Sequence, residues 1–202
     1  FSVVKYTGTG STATVGHGLG SVPKLILTKV VSADGNSWAC YSEETGIDNY
    51  LELNTTAAKQ AYTGYWGSAV PTTSVFGVVN ANFNNNVSGA NIIAYCFADI
   101  SGYQKVGSYS GGSTNVISTD FTPRFLMVKK YNASGTGWYI FDAARNPSNP
   151  RDLTLFANTS ATEAVEGGFY KPSFVTDGFS WPVADGSGVN ASGGLYIYLA
   201  IA

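Results

Sequence analysis

Residues 22–29 read VPKLILTK and residues 122–129 read TPRFLMVK, so one pattern recurs after 100 positions. In both stretches a proline precedes an apolar run, which is typical of the start of a β-strand. Residues 38–41 (WACY) and 138–141 (WYIF) recur at the same spacing. Two separate blocks that match at one offset indicate an internal duplication.

The repeat extends over the 202 residues of the chain. Three further matches, at offsets of 103 or 104, are VKYTG at 4–8 with GSYSG at 107–111, NTTA at 54–57 with NTSA at 158–161, and VSGANIIA at 87–94 with ASGGLYIY at 191–198. We therefore predict two similar copies, residues 1–100 and 103–202. The connection at 99–102 is too short for a flexible linker, so we expect the copies to pack closely.

The composition favours strands over helices. The chain has 24 glycines and 13 tyrosines, and its apolar runs, such as IIAYCFA at 92–98, are too short for ordinary helices. We expect only short helical turns, at 54–61 and at 160–163. Many short strands separated by glycine and asparagine turns predict an all-β protein built from two β-sandwich copies of about 100 residues each.

The two cores are predicted from the matching strands. The side chains expected to be buried are Leu25, Leu27, Trp38, Cys40, Phe76, Ile93 and Phe97 in the first copy, and Phe125, Met127, Trp138, Ile140, Phe179, Ile197 and Ile201 in the second.

Charge and hydropathy exclude two classes of partner. The net charge is −2 and only 12% of the residues are charged, so the attraction to phosphate on which nucleic-acid binding depends is missing. No apolar run approaches the roughly 20 residues of a membrane helix, and we expect no membrane insertion. Because the chain begins with Phe1, we expect it to be a processed product or an excerpt of a longer protein.

Side chains that carry catalysis or bind metals are scarce. The single histidine, His17, lies in GHGLG at 16–20, which we interpret as a turn whose imidazole bonds the backbone. Cys40 and Cys96 occupy apolar strand positions and are predicted to be buried free thiols, although a disulfide between them stays open. No acidic residue recurs in the strongest repeat blocks. We predict no catalytic residues, no metal site, no cofactor and no enzymatic activity.

Aromatic residues in glycine-rich loops are the candidate ligand-binding side chains. The stretch QAYTGYWG at 60–67 contains Tyr62, Tyr65 and Trp66, while GGFY at 167–170 ends in Tyr170, and Trp181 lacks an aromatic counterpart in the first copy. Such rings can stack on sugars or peptides. The alternative is that they pack beneath their own loops.

Several stretches resemble modules of the tail fibres and receptor-binding proteins of tailed bacteriophages, especially those of marine bacteria. They are TVGHGLGSVPK at 14–24, YLELNTTA at 50–57, WYIFDAARNP at 138–147 and NASGG at 190–194. The resemblance implies a location on the virion tail or another extracellular structure. It also implies assembly as a homo-oligomer or with other virion or fibre proteins.

The function predicted from the sequence is that of a non-catalytic structural and adhesion module, which builds a phage tail fibre and contacts a glycan or protein of the host surface. A stand-alone lectin or carbohydrate-binding module is one alternative, and a subunit of an extracellular filament is another. A glycan-degrading depolymerase is a further alternative, and it would require two carboxylates that flank the glycosidic bond to be cleaved.

Overall fold

The computed structural model describes residues 1–79, 81, 83–165, 170–182 and 188–202. Within these residues the regular structure consists of β-strands, and no helix occurs. The expected helical turns are absent from them: residues 54–61 form a turn, a stretch without regular structure and the two-residue strand β6, and residues 160–163 have no regular structure. The strands are β1 (Ser2–Thr7), β2 (Ala13–Gly16), β3 (Leu25–Val30), β4 (Ala39–Ser42), β5 (Asn49–Glu52), β6 (Gln60–Ala61), β7 (Val75–Val78), β8 (Asn91–Phe97), β9 (Gln104–Ser110), β10 (Ile117–Ser118), β11 (Phe125–Lys130), β12 (Trp138–Asp142), β13 (Leu153–Phe156), β14 (Ala164–Val165), β15 (Ser173–Val175), β16 (Gly178–Ser180) and β17 (Leu195–Ile201).

The chain divides into two compact units. Unit 1 comprises Phe1–Asn54 and Lys59–Ala98, and unit 2 comprises Thr55–Ala58 and Asp99–Ala202. Each unit contains one large antiparallel sheet and one small one, so the prediction of an all-β protein with two β-sandwich copies is confirmed.

The two units share one strand order. The large sheet of unit 1 runs β1-β8-β3-β4-β5-β6, and that of unit 2 runs β9-β17-β11-β12-β13-β14. The small sheet is the pair β2-β7 in unit 1 and the triplet β10-β16-β15 in unit 2. Apart from β15, every strand of one unit has a counterpart in the same place in the other.

Hydrogen bonds of the repeated asparagines show the same correspondence. The side-chain oxygen of Asn54 accepts the N–H of Trp38 at 2.8 Å, and that of Asn158 accepts the N–H of Trp138 at 2.8 Å. The matching stretches NTTA and NTSA therefore act alike, because each asparagine satisfies a backbone donor at the start of a neighbouring strand.

Each core lies between the large and the small sheet of its unit. The buried side chains of the unit 1 core are Val15, Ile26, Ala39, Tyr41, Tyr65, Trp66, Phe76, Val78, Ala94 and Cys96. Those of the unit 2 core are Phe121, Leu126, Val128, Tyr139, Phe141, Phe174, Phe179, Trp181, Val189, Tyr196, Tyr198 and Ala200.

The residues of β8 that were predicted to be in the core lie on the wrong face of the strand. Ile92, Ala94 and Cys96 are fully buried, whereas the predicted Ile93 and Phe97 are only half-buried. Side chains alternate between the two faces of a strand, and both faces of this strand are apolar, so the sequence does not identify the inner one. Four other predicted core residues are also half-buried, namely Trp38, Phe125, Ile140 and Ile201.

The two thiols lie on opposite faces of the unit 1 sheet. Strand β3 separates β4 from β8, and its adjacent residues Leu27 and Ile26 pair with Cys40 and Cys96 respectively. Neighbouring residues of a strand point to opposite faces, which excludes a disulfide between the two. Both thiols are free and buried, as predicted. Burial raises the pKa of Cys40 strongly and that of Cys96 to about 11, so neither is a ready nucleophile.

Strands β3 and β11 each contain, at the matching position, a lysine whose amine donates a hydrogen bond to a backbone carbonyl. Nζ of Lys129 donates to the carbonyl of Thr136 at 2.6 Å, and Nζ of Lys29 donates to the carbonyl of Asn36, at the matching position. Lys129 is fully buried, and this burial lowers the pKa of its amine to about 8.

The contribution of Lys129 to the free energy of unfolding is therefore expected to rise with pH above about 8. The unfolded chain, with a lysine pKa of about 10.5, binds more protons than the folded chain between these two values. Relative to a Lys129→Met variant, the free energy of unfolding should increase by about 1–2 kcal/mol between about pH 8 and 9.5. Urea denaturation over that pH range measures the difference, in which contributions of the buried tyrosines and cysteines cancel. A pH-independent difference would contradict a buried amine at this position.

Candidate functional site

A groove in unit 1 contains one of the predicted aromatic residues, Tyr62. Its volume is about 520 Å³. The groove combines the half-buried Tyr62 ring with the exposed polar side chains of Asp48, Thr12, Thr63 and Ser68. Ile47 and Val79 add apolar surface to the wall.

The loop that carries Tyr62 is fixed against the turn before β5. The N–H of Tyr62 donates to the carbonyl of Asp48 at 2.8 Å, and the N–H of Trp66 donates to the carbonyl of Ile47 at 3.1 Å. The carboxylate of Asp48 accepts the N–H of Gly64 at 2.6 Å. These bonds hold the aromatic side and the acidic side of the groove in one arrangement, which limits the entropy lost when a ligand binds.

The end of this loop requires a glycine. Gly67 has a φ of +85°, which disfavours any residue with a side chain, and a Cβ there would lie 2.9 Å from Cα of Gly77. The close approach of the loop to β7 thus depends on the absence of side chains at both positions.

Two other rings orient Tyr62. The centroid of its ring lies 5.9 Å from that of Tyr65 and 4.9 Å from that of Phe83, both in edge-to-face geometry. Phe83 is itself exposed. Such contacts restrict the ring while its half-buried position leaves part of it open to a ligand.

Three of the predicted ligand contacts belong to the cores instead. Tyr65, Trp66 and Trp181 are 0–1% exposed. Trp66 packs edge-to-face on Tyr41 with 5.7 Å between centroids, and Trp181 packs in the same way on Phe141 at 5.9 Å. The prediction that these three rings are exposed contacts is wrong, since each fills the space between the two sheets of its unit. A glycine-rich loop sequence does not show that its ring turns inward.

Tyr170 is packed on unit 2 and is only half-buried. Its ring stacks on Tyr139 with 5.4 Å between centroids. It also covers Gly188, where a Cβ would lie 1.6 Å from the ring. The other residues of this loop motif, 167–169, lie outside the described residues, so Tyr170 is not assigned to a groove.

The histidine is a structural residue, as the sequence indicated. His17 is buried, its Nε2 donates to the carbonyl of Thr72 at 3.0 Å, and its Nδ1 accepts the N–H of Leu19 at 3.2 Å. Both ring nitrogens are thus occupied by the backbone, which confirms the turn interpretation.

Neither a cluster of metal-ligating side chains nor a membrane-spanning helix is found among the described residues. No group of three or more His, Cys, Asp or Glu side chains among them could hold a metal ion. No helix long and apolar enough to cross a membrane occurs in the same part of the chain. Among the described residues that line the groove, Asp48 is the one charged side chain.

Comparison with known proteins identifies the family of the chain. A family model described as "Domain of unknown function (DUF7483)" matches residues 1–202. No curated protein and no solved structure matches the chain.

Proposed function

We propose that this chain, which belongs over residues 1–202 to the family described as "Domain of unknown function (DUF7483)", is a non-catalytic adhesion module that binds a surface glycan in the Tyr62 groove. The observation that carries the proposal is the combination of an oriented, partly open ring with hydroxyl and carboxylate side chains in one groove. The C–H face of a sugar packs on an aromatic ring, and its hydroxyls find hydrogen-bond partners beside it.

The charge of the groove narrows the class of glycan. The carboxylate of Asp48 is exposed and already holds one N–H of the Tyr62 loop. An acidic sugar would bring a second negative charge toward it, whereas a neutral sugar or an amino sugar would not. We therefore favour neutral and amino sugars.

The setting that we propose is a phage tail fibre or a related extracellular structure, on the basis of the resemblance of residues 14–24 and 138–147 to such modules. There the two sandwich units would help to build the fibre, together with further copies of the chain or other virion proteins. A stand-alone lectin would use the same groove without such neighbours.

Replacement of Tyr62 with alanine is expected to weaken glycan binding about tenfold, because the stacking surface is lost. The measurement is binding of the purified protein to an array of bacterial surface glycans, followed by titration of the best neutral glycan. Tyr62→Phe should bind like the parent, since it keeps the ring.

Tyr103 supplies the matched control for this experiment, because its side chain is 53% exposed and it does not line the groove. Tyr103→Ala should leave both binding and melting temperature unchanged. The proposal fails if the parent binds no glycan, or if Tyr62→Ala binds as tightly as Tyr103→Ala; a purely structural role would then remain.

A further inference from the structure

Tyr198 fills part of the core of unit 2 at a position where unit 1 has an alanine. Tyr198 lies on β17 opposite Gly107 of β9, where a Cβ would come within 2.7 Å of the ring. The ring packs edge-to-face on Phe179 with 5.2 Å between centroids, and its hydroxyl donates to the carbonyl of Ser118 at 3.3 Å. The phenol ring thus extends from the large sheet of unit 2 to the small one.

The same place in unit 1 holds smaller side chains. The counterpart of Tyr198 is Ala94 on β8, which lies opposite Val4 of β1. A valine and an alanine together carry fewer side-chain atoms than a tyrosine facing a glycine. The order and register of these strands in the large sheets are the same, so unit 1 carries fewer side-chain atoms at this position of its inner face.

A pocket of about 290 Å³ lies at this position in unit 1. Its lining includes Val4, Tyr6 and Gly16, which are the counterparts of Gly107, Tyr109 and Ser118 around the Tyr198 ring. The pocket therefore lies where the hydroxyl end of Tyr198 reaches the small sheet in unit 2, next to the space that the Val4 side chain takes in unit 1.

The lining suits an uncharged ring. Val4, Ala13, Val15 and Val78 contribute apolar surface and Tyr6 contributes a ring, and the uncharged polar residues of the lining are Thr7, Thr9, Thr14 and Asn86. The one charged side chain among the described lining residues, Lys5, is exposed.

We propose that unit 1 binds a small neutral aromatic compound of phenol size in this pocket, at the position that the hydroxyl end of Tyr198 reaches in unit 2. This site is separate from the Tyr62 groove and does not depend on glycan binding. The chemistry of the ligand is inferred from the side chain that the second copy of the same fold places there.

The probe is p-cresol, which reproduces the tyrosine side chain. In NMR spectra of the methyl-labelled full chain it should shift the Val4, Val15 and Val78 signals saturably, with a dissociation constant on the order of 0.1–1 mM. Leu51, which does not line the pocket, supplies an internal control.

The double variant Val4→Gly/Ala94→Tyr installs the unit 2 arrangement and should weaken p-cresol binding at least tenfold. Tyr198→Ala should add a second binding site, in unit 2. The proposal is overturned if p-cresol leaves the Val4, Val15 and Val78 signals of the parent unchanged, a result that does not require any variant to fold. It is also overturned if the folded double variant binds p-cresol like the parent.

Discussion

Replacement of Trp181 with alanine is expected to lower the free energy of unfolding by about 3–5 kcal/mol. The side chain is fully buried, and its ring centroid lies 5.9 Å from those of both Phe141 and Phe179 and 6.3 Å from that of Tyr109. These neighbours belong to three different strands in two sheets, so they cannot close the cavity without loss of strand pairing. Urea denaturation followed by far-UV circular dichroism measures the change.

The half-buried Trp38 provides the comparison. It stacks on Tyr95 with 6.0 Å between centroids but keeps solvent contact, so Trp38→Ala should cost clearly less than Trp181→Ala. Equal losses for the two variants would show that Trp181 does not support the core of unit 2.

The second large loss of stability is expected for substitution of Asn86, whose side chain forms hydrogen bonds with the loop between β1 and β2. Its side-chain oxygen accepts the N–H of Thr9 at 2.8 Å, and its amide donates to the carbonyls of Ser11 at 2.8 Å and Val79 at 2.6 Å. Asn86→Ala removes the side-chain partner of the Thr9 N–H and of the Val79 carbonyl and one of the two donors to the Ser11 carbonyl, and should cost about 3 kcal/mol in unfolding free energy.

Asn86→Asp separates the donor from the acceptor function. The aspartate can still accept the N–H of Thr9, but it directs a carboxylate at two carbonyl oxygens, so we expect a loss as large as that of the alanine variant. Full stability of Asn86→Asp in urea denaturation would mean that the amide bonds contribute nothing. The side chain of Asn190 in unit 2 accepts the N–H of Gly112 at 3.0 Å and donates to the carbonyl of Ser113 at 2.8 Å. We therefore expect Asn190→Ala and Asn190→Asp to lower the free energy of unfolding in the same way.

The fold was predictable from the sequence because its signals are local and occur twice. The proline that precedes the strand at Leu25 recurs before the strand at Phe125. Trp38, which directly precedes β4, recurs as Trp138, the first residue of β12. The inner face of β8 was not predictable, since IIAYCF offers apolar side chains to both sides. Burial there is decided by the small sheet, which is formed by strands distant in sequence.

The candidate site was predictable only in part. Tyr62 could be selected as an aromatic residue in a glycine-rich loop. Thr12, Asp48 and Ser68 come from separate loops, and no pattern in the sequence links them. Trp66, four residues after Tyr62, has the same type of local sequence but is fully buried in the core.

The strand order also determines when each unit can form during synthesis. In unit 1 the last strand, β8, lies between β1 and β3, and Ser2 pairs with Cys96. Strand β1 therefore has no hydrogen-bonding partner until almost the entire repeat has left the ribosome. Contacts this distant along the chain are characteristic of slowly folding β-proteins. During that interval β1 and the exposed edge of β3 can pair with other chains, and crowded nascent copies risk aggregation before β8 separates the two strands.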